Sequence, residues 1–557
     1  MIMWYLVALF FTAVCSEKAC KVTEWSAWGD CKHSQNKLVE RSHTLETPPS
    51  LKHNRMKAVS MEYVMASQDV GFSHFRVCVN VGRCAQQQSA GVPLNCTDGK
   101  AGPYPCRNID LVAHLTLDDL GYNPDRFGVL WDSKPGANDI WGWTDPQTND
   151  EYAIIGLTGA TAFVRISRPE TPEVVGILYN SEVVEQENKP IWYQRLVPKN
   201  SRAILPSPWR DMKVVNDHVY IVSEAIGMGI QVFDLRTLRG LDATKPVREL
   251  NVTAWLTKLP NGEEIDQAHD VVHNPATQRI FLVGGTVDRY KSCGGGIKIF
   301  DVSDPAKPAF LGCYADDGYT HDAQCVLYSG PDTRFTNREI CFAYNEDTLT
   351  IVDTTDPSNI QLISRTKYDV ADYTHQGWIT EDMSVLLLDD EKDESSFRDI
   401  NNEYSGETMT HIFDITDLKN PVIKNTYFST ETSIDHNQYI LGNFVYQSNY
   451  QAGLRVLHIN QEKFVLTEVA YFDVFPDDTK VHFDGMWSNY PYFTKDARGI
   501  VAASSIEFGL YLLRPNMEQI QRDLETKKKV GLQRRTRRIL SSDEGLGCPG
   551  LEEIRQC

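Results

Sequence analysis

The chain has 557 residues, 41% apolar and 23% charged, the profile of a folded globular protein and not of a disordered one. Its net charge of -20 excludes general nucleic-acid binding, whose affinity rests on Lys and Arg against phosphate. The length exceeds one ordinary domain, unless a repeat architecture holds a single large core.

In chain order, the apolar run Trp4–Val14, followed by small residues and Glu17, predicts a secretory signal peptide over 1–16. A membrane anchor would need ~20 apolar residues; this run is shorter, and no later segment is long enough to span a bilayer. Cleavage near Ser16 removes Cys15 and leaves twelve of the thirteen cysteines, an even number that reads as a disulfide framework in an oxidising compartment. The sequons Asn95-Cys96-Thr97 and Asn251-Val252-Thr253 predict N-glycosylation and agree with an extracellular location.

The next segment, 17–47, begins Cys20-Lys-Val-Thr-Glu-Trp25-Ser-Ala-Trp28-Gly-Asp-Cys31. This resembles the first strand of a thrombospondin type 1 repeat, a small module in which Trp rings stack between Arg side chains. The Arg strand does not follow in Leu38–Leu45, where His43 stands in place of a second Arg. It is found at the other end, as Gly531-Leu-Gln-Arg-Arg535-Thr-Arg537-Arg-Ile, before Cys548-Pro…Cys557 in 530–557. The resemblance therefore implies a repeat split between the two chain ends. In it Trp25 and Trp28 stack with Arg535 and Arg537, and Cys20 pairs with Cys548 and Cys31 with Cys557. Two degenerate half-repeats with local pairs Cys20–Cys31 and Cys548–Cys557 are the alternative. Such halves lack the stabilisation a small module needs.

Residues 48–137 read as a cysteine-containing linker. Ser50–Gln68 is helical by composition. Close spacing pairs Cys78 with Cys84 and Cys96 with Cys106, as small loops without the convergent ligands of a metal site.

From 138 to 515 the same order of parts returns at intervals of about fifty residues, the sign of a repeat architecture. Seven units can be laid out, from IWGWTDP at Ile140 to FGLYLL ending at Leu513. Each has about four short alternating runs separated by Gly, Pro, Asn and Asp. An all-β, seven-bladed propeller is expected. Within it Cys293–Cys313 and Cys325–Cys341 read as staples inside a blade. IKIFDVSDP and LTIVDTTDP resemble LVIVD repeats, and the span from Cys96 to Leu513 resembles the choice-of-anchor B surface proteins. That resemblance implies an extracellular propeller and supplies no activity. Residues 516–529 read as a short helical linker with Asn516 as N-cap.

Equivalent positions in successive blades converge on the axis. One slot holds Arg210, His269, His321, His375 and His436; the next holds Asp211, Asp270, Asp322, Gln376 and Asn437. Four imidazoles at one channel mouth suit a transition metal such as Zn, Cu or Fe, with carboxylates behind them. The weightier reading has each His-Asp pair tie its blade's inner strand to a neighbouring loop by hydrogen bonds, as a strut, with Arg210 repelling any cation. The acidic run Leu388–Glu394 reads as a solvated loop, with Ca²⁺ as its functional alternative, although it lacks EF-hand spacing. Lys527–Lys529 with Arg534–Arg538 is the dense basic patch, and Arg538 ends a furin-like cleavage motif. No cofactor is expected outright. The expected function is a secreted, non-catalytic adhesion or matrix-interaction protein with an extracellular protein or glycan ligand. A metal-dependent extracellular enzyme using the His269, His321, His375 and His436 ring is the alternative.

Overall fold

A computed structural model describes residues 60–63, 77–80, 93–123, 136–180, 206–285, 293–369, 371–396, 407–476 and 481–526. The signal segment, Trp25, Trp28, Cys20, Cys31, Cys84, Arg535, Arg537, Arg538, Cys548 and Cys557 lie outside these residues. The chain divides into two compact units, 1–86 and 87–557. In the first, Ser60–Tyr63 pairs antiparallel with Val77–Asn80. This overturns the helical reading of that part of Ser50–Gln68: its partner VCVN alternates β-branched Val, and pairing outweighs a compositional preference.

The second unit is a seven-bladed β-propeller of antiparallel sheets. Blade one spans 137–179, blade two 210–256, blade three 270–314, blade four 322–366, blade five 374–432, blade six 438–472 and blade seven 486–515. The inner strands are Ala137–Thr144, Arg210–Val215, Asp270–Asn274, Asp322–Leu327, Thr374–Ile379, Gln438–Leu441 and Met486–Tyr490. Each contacts the next, and the last contacts the first, so the ring is closed.

Closure is made by hydrogen-bonded pairing of strands far apart in the chain. Blade seven supplies three strands of its own, and its outer strand is Ile109–Leu115, paired with Gly509–Pro515. Propeller structure therefore starts before residue 138, inside the stretch that reads as linker. Tyr104–Arg107 and Lys100–Ala101 extend blade six to six strands, and Cys96–Cys106 staples this extension. Cys293–Cys313 and Cys325–Cys341 also form disulfides; Cys325 and Cys341 are direct cross-strand partners. A helix begins at 517, with Asn516 Oδ1 accepting from Gln519 N at 3.0 Å.

Local chemistry explains the blade outline. At the end of the third strand an Asp accepts a backbone N–H two residues on: Asp301 from Ser303, Asp353 from Thr355, Asp414 from Thr416. These Asx turns stop the strand, and in blades three and four an Asp-Pro corner follows, at Asp304-Pro305 and Asp356-Pro357. In six blades the third strand then carries a bulge against the outer strand, as at Ile351/Val352, which strengthens the twist of the blade. Aromatic and aliphatic side chains such as Phe163, Phe281, Phe300 and Phe342 fill the spaces between blades and are fully buried.

Polar joints cross the same boundaries. Glu339 of blade four accepts from Asn274 Nδ2 at 2.9 Å and Arg279 Nη1 at 2.5 Å on blade three. Replacing Glu339 with Ala strands this buried donor set, and we expect a loss of about 3 kcal/mol in chemical denaturation. A loss below ~0.5 kcal/mol would mean that the joint contributes nothing.

Candidate functional site

The four slot histidines meet at one mouth of the channel as a continuous arc. Ring centroids are 4.2 Å apart from His269 to His321, 4.5 Å from His321 to His375 and 4.4 Å from His375 to His436. Trp487 of blade seven continues the arc, 5.0 Å from His436. Arg210 occupies the equivalent slot in blade two but does not face the arc. It is buried, and its guanidinium bonds to the carbonyl of Leu157 at 3.2 Å and to Asn180 Oδ1. The cation expected to repel a metal is therefore turned into blade one. His375 and Trp487 each sit at an inner-strand bulge, the distortion that re-aims a side chain. Gly284 leaves room beside His269, since a Cβ there would lie 2.2 Å from the His269 Cβ.

The histidines are held by Nδ1. His321 Nδ1 donates to the carbonyl of His375 at 3.1 Å, and His436 Nδ1 donates to that of Trp487 at 2.6 Å. A carbonyl only accepts, so in both neutral rings Nδ1 carries the proton and Nε2 the lone pair. His375 Nδ1 lies 3.2 Å from Asp389 Oδ1. Burial and the neighbouring imidazoles push His321 and His375 well below the usual histidine range, and burial pushes His436 down to about 3. His269 differs. Burial opposes its charge, but Asp270 and the Glu224 bond at 2.7 Å outweigh that and raise it to about 10.

The sequence reading missed Glu391. Its Oε1 lies 3.4 Å from His436 Nε2 and 4.0 Å from His375 Nε2, and it accepts from Tyr450 OH at 2.8 Å. Burial pushes its carboxyl up to about 7. The arc thus resolves into two tight sets whose ligand atoms lie within 4.8 Å of one another: His375, Glu391 and His436, and His269, Asp270 and His321. It does not form one four-histidine cluster. The acidic run that carries Glu391 is not a solvated loop. Leu388, Asp389, Asp390, Asp393 and Glu394 are all buried, because this strand end turns inward between blades five and six. The signal was present in the sequence as the run itself; what misled was the usual association of charge with solvent.

Beside the arc, Asp270, Asp322, Gln376 and Asn437 of the second slot line a cavity of about 280 Å³ together with Asp139 of blade one and Lys213 of blade two. Lys213 is the resident cation: its Nζ is 2.6 Å from Asp211 and 3.9 Å from Asp139. Asp211 stays ionised against Lys213, while burial and the Asp211 charge push Asp139 up to about 8. Farther along, Trp141, Trp378, Tyr439, Tyr490 and Tyr492 form an aromatic cluster. Asn95 and Asn251, the two sequon residues, are exposed.

The LVIVD repeat family matches residues 293–316 and 340–367, the later strands of blades three and four, so the chain carries LVIVD repeats. No curated protein matches the chain significantly in sequence. Similar solved structures include that of U3-55K (7% identity, 69% of this chain and 97% of that one, TM-score 0.41). The RRP9 WD40 repeats are 7% identical over 69% and 96%, with TM-score 0.41. A functionally unknown protein from Desulfotomaculum acetoxidans DSM 771 is 11% identical over 71% and 98%, with TM-score 0.38. Likenesses this distant bear on no function.

The Asp139 shift has a stability consequence. A carboxyl raised in the folded state adds stability below its unfolded value near 4, and that stability is lost as pH rises through about 8. The Asp139 contribution to stability should therefore fall between pH 5 and pH 8, opposite in sign to that of the three neutral histidines. In denaturant titrations Asp139→Asn should remove that component, so that the difference between variant and wild type changes with pH, and a difference independent of pH would remove Asp139 as its source.

Proposed function

We propose that this propeller is an extracellular binding protein that holds a divalent transition-metal ion at its channel mouth, through His375, His436 and Glu391. One observation carries the reading: the lone pair of His436 Nε2 faces a carboxylate oxygen at 3.4 Å, and two acceptors at that separation need a cation or a proton between them. Metal–ligand bonds of about 2 Å put neighbouring ligand atoms about 3–3.5 Å apart, close to the spacing found. Two imidazoles and one carboxylate leave coordination positions open and suit Fe, Zn or Cu better than Ca²⁺. The strut role expected of the histidines belongs to Nδ1, and it orients Nε2 for the second role. An oxygen-donor ligand docking at the open positions is the recognition event we infer. The enzymatic alternative draws on His269, whose raised affinity for a proton places an acid one ring beyond His321.

Secretion, glycosylation and an adhesive role belong to the same reading, supported by three disulfides and two exposed sequon asparagines. So does the resemblance to choice-of-anchor B proteins. The split thrombospondin-like module gains support from the propeller's own closure. Asn108 Nδ2 donates to Asp523 Oδ2 at 3.1 Å, so the residues just before the closing strand touch the helix that follows blade seven. Disulfide mapping tests it: a peptide joining Cys20 or Cys31 to Cys548 or Cys557 is expected, and local pairs alone would end the idea.

For the metal, elemental analysis of secreted protein purified without chelator should find one equivalent of a transition metal. His436→Ala and Glu391→Gln should each lose it, and Asp389→Asn, which unlatches His375, should weaken binding about 10–100-fold. Metal-free protein that takes up no Zn²⁺, Fe²⁺ or Cu²⁺ would refute the assignment.

A further inference from the structure

The histidine arc stands at the start of the inner strands, whereas their later residues carry larger rings. Trp141, His273, Trp378, Tyr490 and Tyr492, from blades one, three, five and seven, line an open cavity of about 450 Å³. Trp141 meets His273 at 5.2 Å and Tyr490 at 5.1 Å between centroids, both edge to face. Burial, with Lys213 nearby, pushes His273 down to about 3, so its ring is neutral. His273 and Trp378 also line the 280 Å³ cavity that holds the second-slot acids, so the two spaces adjoin. Aromatic walls with a few convergent polar groups are the general form of a small-molecule site.

The polar groups of the inner cavity are acceptors left without donors. Among the described residues no hydrogen bond or ion pair engages the Asp270 carboxylate, which lies near the charged His269 without bonding it. Asp322 uses only Oδ1, on the Ala323 N–H at 2.6 Å. The Asn437 side chain is 8% exposed, lines the cavity and has no hydrogen-bond partner among the described residues. Gln376, by contrast, spends both ends of its amide on the Gln438 backbone. The chain itself places an ammonium in this region: Lys213 Nζ lies 4.7 Å from the Trp141 ring centroid while it pairs with Asp211.

We propose that this end of the channel binds a small primary amine, with its ammonium head among Asp270, Asp322 and Asn437 and its apolar stem in the aromatic basin. An ammonium brings three N–H donors to acceptors that lack them, and ring faces attract the same charge. A metal ion would leave the aromatic walls without a role. Burial pushes the Asp322 carboxyl up to about 7, so the head replaces a proton held there. Free arylalkylamines and the lysine side chain of another protein both carry this chemistry. The site is independent of any metal at the histidine arc.

The test is calorimetric titration of phenethylamine into chelator-treated full-length protein, with a Kd below about 1 mM expected. Phenethyl alcohol lacks the charge and the trimethylammonium analogue lacks the N–H donors; each should bind at least ~10-fold more weakly. Asp322→Asn and Trp378→Leu should each weaken the amine about 10-fold. Asp322→Asn removes a like charge and should not lower the Tm, so its lost affinity is not lost folding. Protein carrying its metal should bind the amine equally well; a need for metal would move the amine to the histidine arc and overturn the proposal. A parallel titration with Nα-acetyl-lysine methylamide separates the sources, since the tighter of the two amines identifies which is recognised. Failure of both amines to bind wild-type protein would overturn the proposal. So would equal binding of the alcohol or the trimethyl compound, or affinity unchanged in both variants.

Discussion

Every blade buries both faces of its sheet against its neighbours, so no blade is complete until the ring closes. That closure is the constraint on which the rest depends. It is met by pairing Ile109–Leu115 with Gly509–Pro515, residues separated by most of the chain. A non-local pairing of this kind closes a long loop for a modest extra entropy, because the closure cost grows only logarithmically with length. Once made, it buries the otherwise open faces of blades one and seven together, in a core that includes Val112, Leu115, Ile155, Ala162 and Leu512. It also fixes where chemistry can occur, since equivalent residues of all seven inner strands are carried to one axis.

Convergence is electrostatically awkward. Four aspartates of the second slot and its neighbours share one lysine, and the structure meets this by letting some carboxyls hold protons while Asp211 stays paired. The imidazole arc meets the same problem differently. Three of its rings stay neutral through burial, and only His269, with Glu224 and Asp270 beside it, carries charge. A neutral imidazole bound through Nδ1 to a carbonyl is both a strut and an available ligand, so the two readings of these histidines are not rivals.

The seven units were legible because the period, the Asp-Pro corners and the His-Asp pairs repeat along the chain, and repetition survives without any knowledge of contacts. The meeting of His269, His321, His375 and His436 was legible for the same reason: one slot, one place on the axis. Glu224, Glu391 and Tyr450 were not, although each stands just past the second strand of its blade, because the repeats were aligned on their inner strands and these three residue types differ from blade to blade. Ile109–Leu115 escaped notice because it precedes the first repeat and its partner lies at the far end. The acidic run was misread because burial there is set by how blades five and six meet, and nothing local in Leu388–Glu394 announces it.

The mouth is also lopsided, and this shapes what it can do. A full ring of seven imidazoles would face the axis alike from every side and define no direction of approach. Here blades three to six contribute histidine, blade seven contributes Trp487, and blade two's Arg210 is withdrawn to Leu157 and Asn180. Blade one's Asn138 turns to the carbonyl of Pro208 at 2.7 Å. The donor groups therefore occupy one side of the channel, with carboxylates at both ends of the arc, Glu224 beside His269 and Glu391 beside His436. An ion held at the Glu391 end meets neutral rings on one flank and, beyond them, the single charged ring at the other. That gradient, from metal ligand to proton donor across four adjacent side chains, arises from breaking sevenfold repetition at three positions, which is why the site cannot be read from the repeat alone.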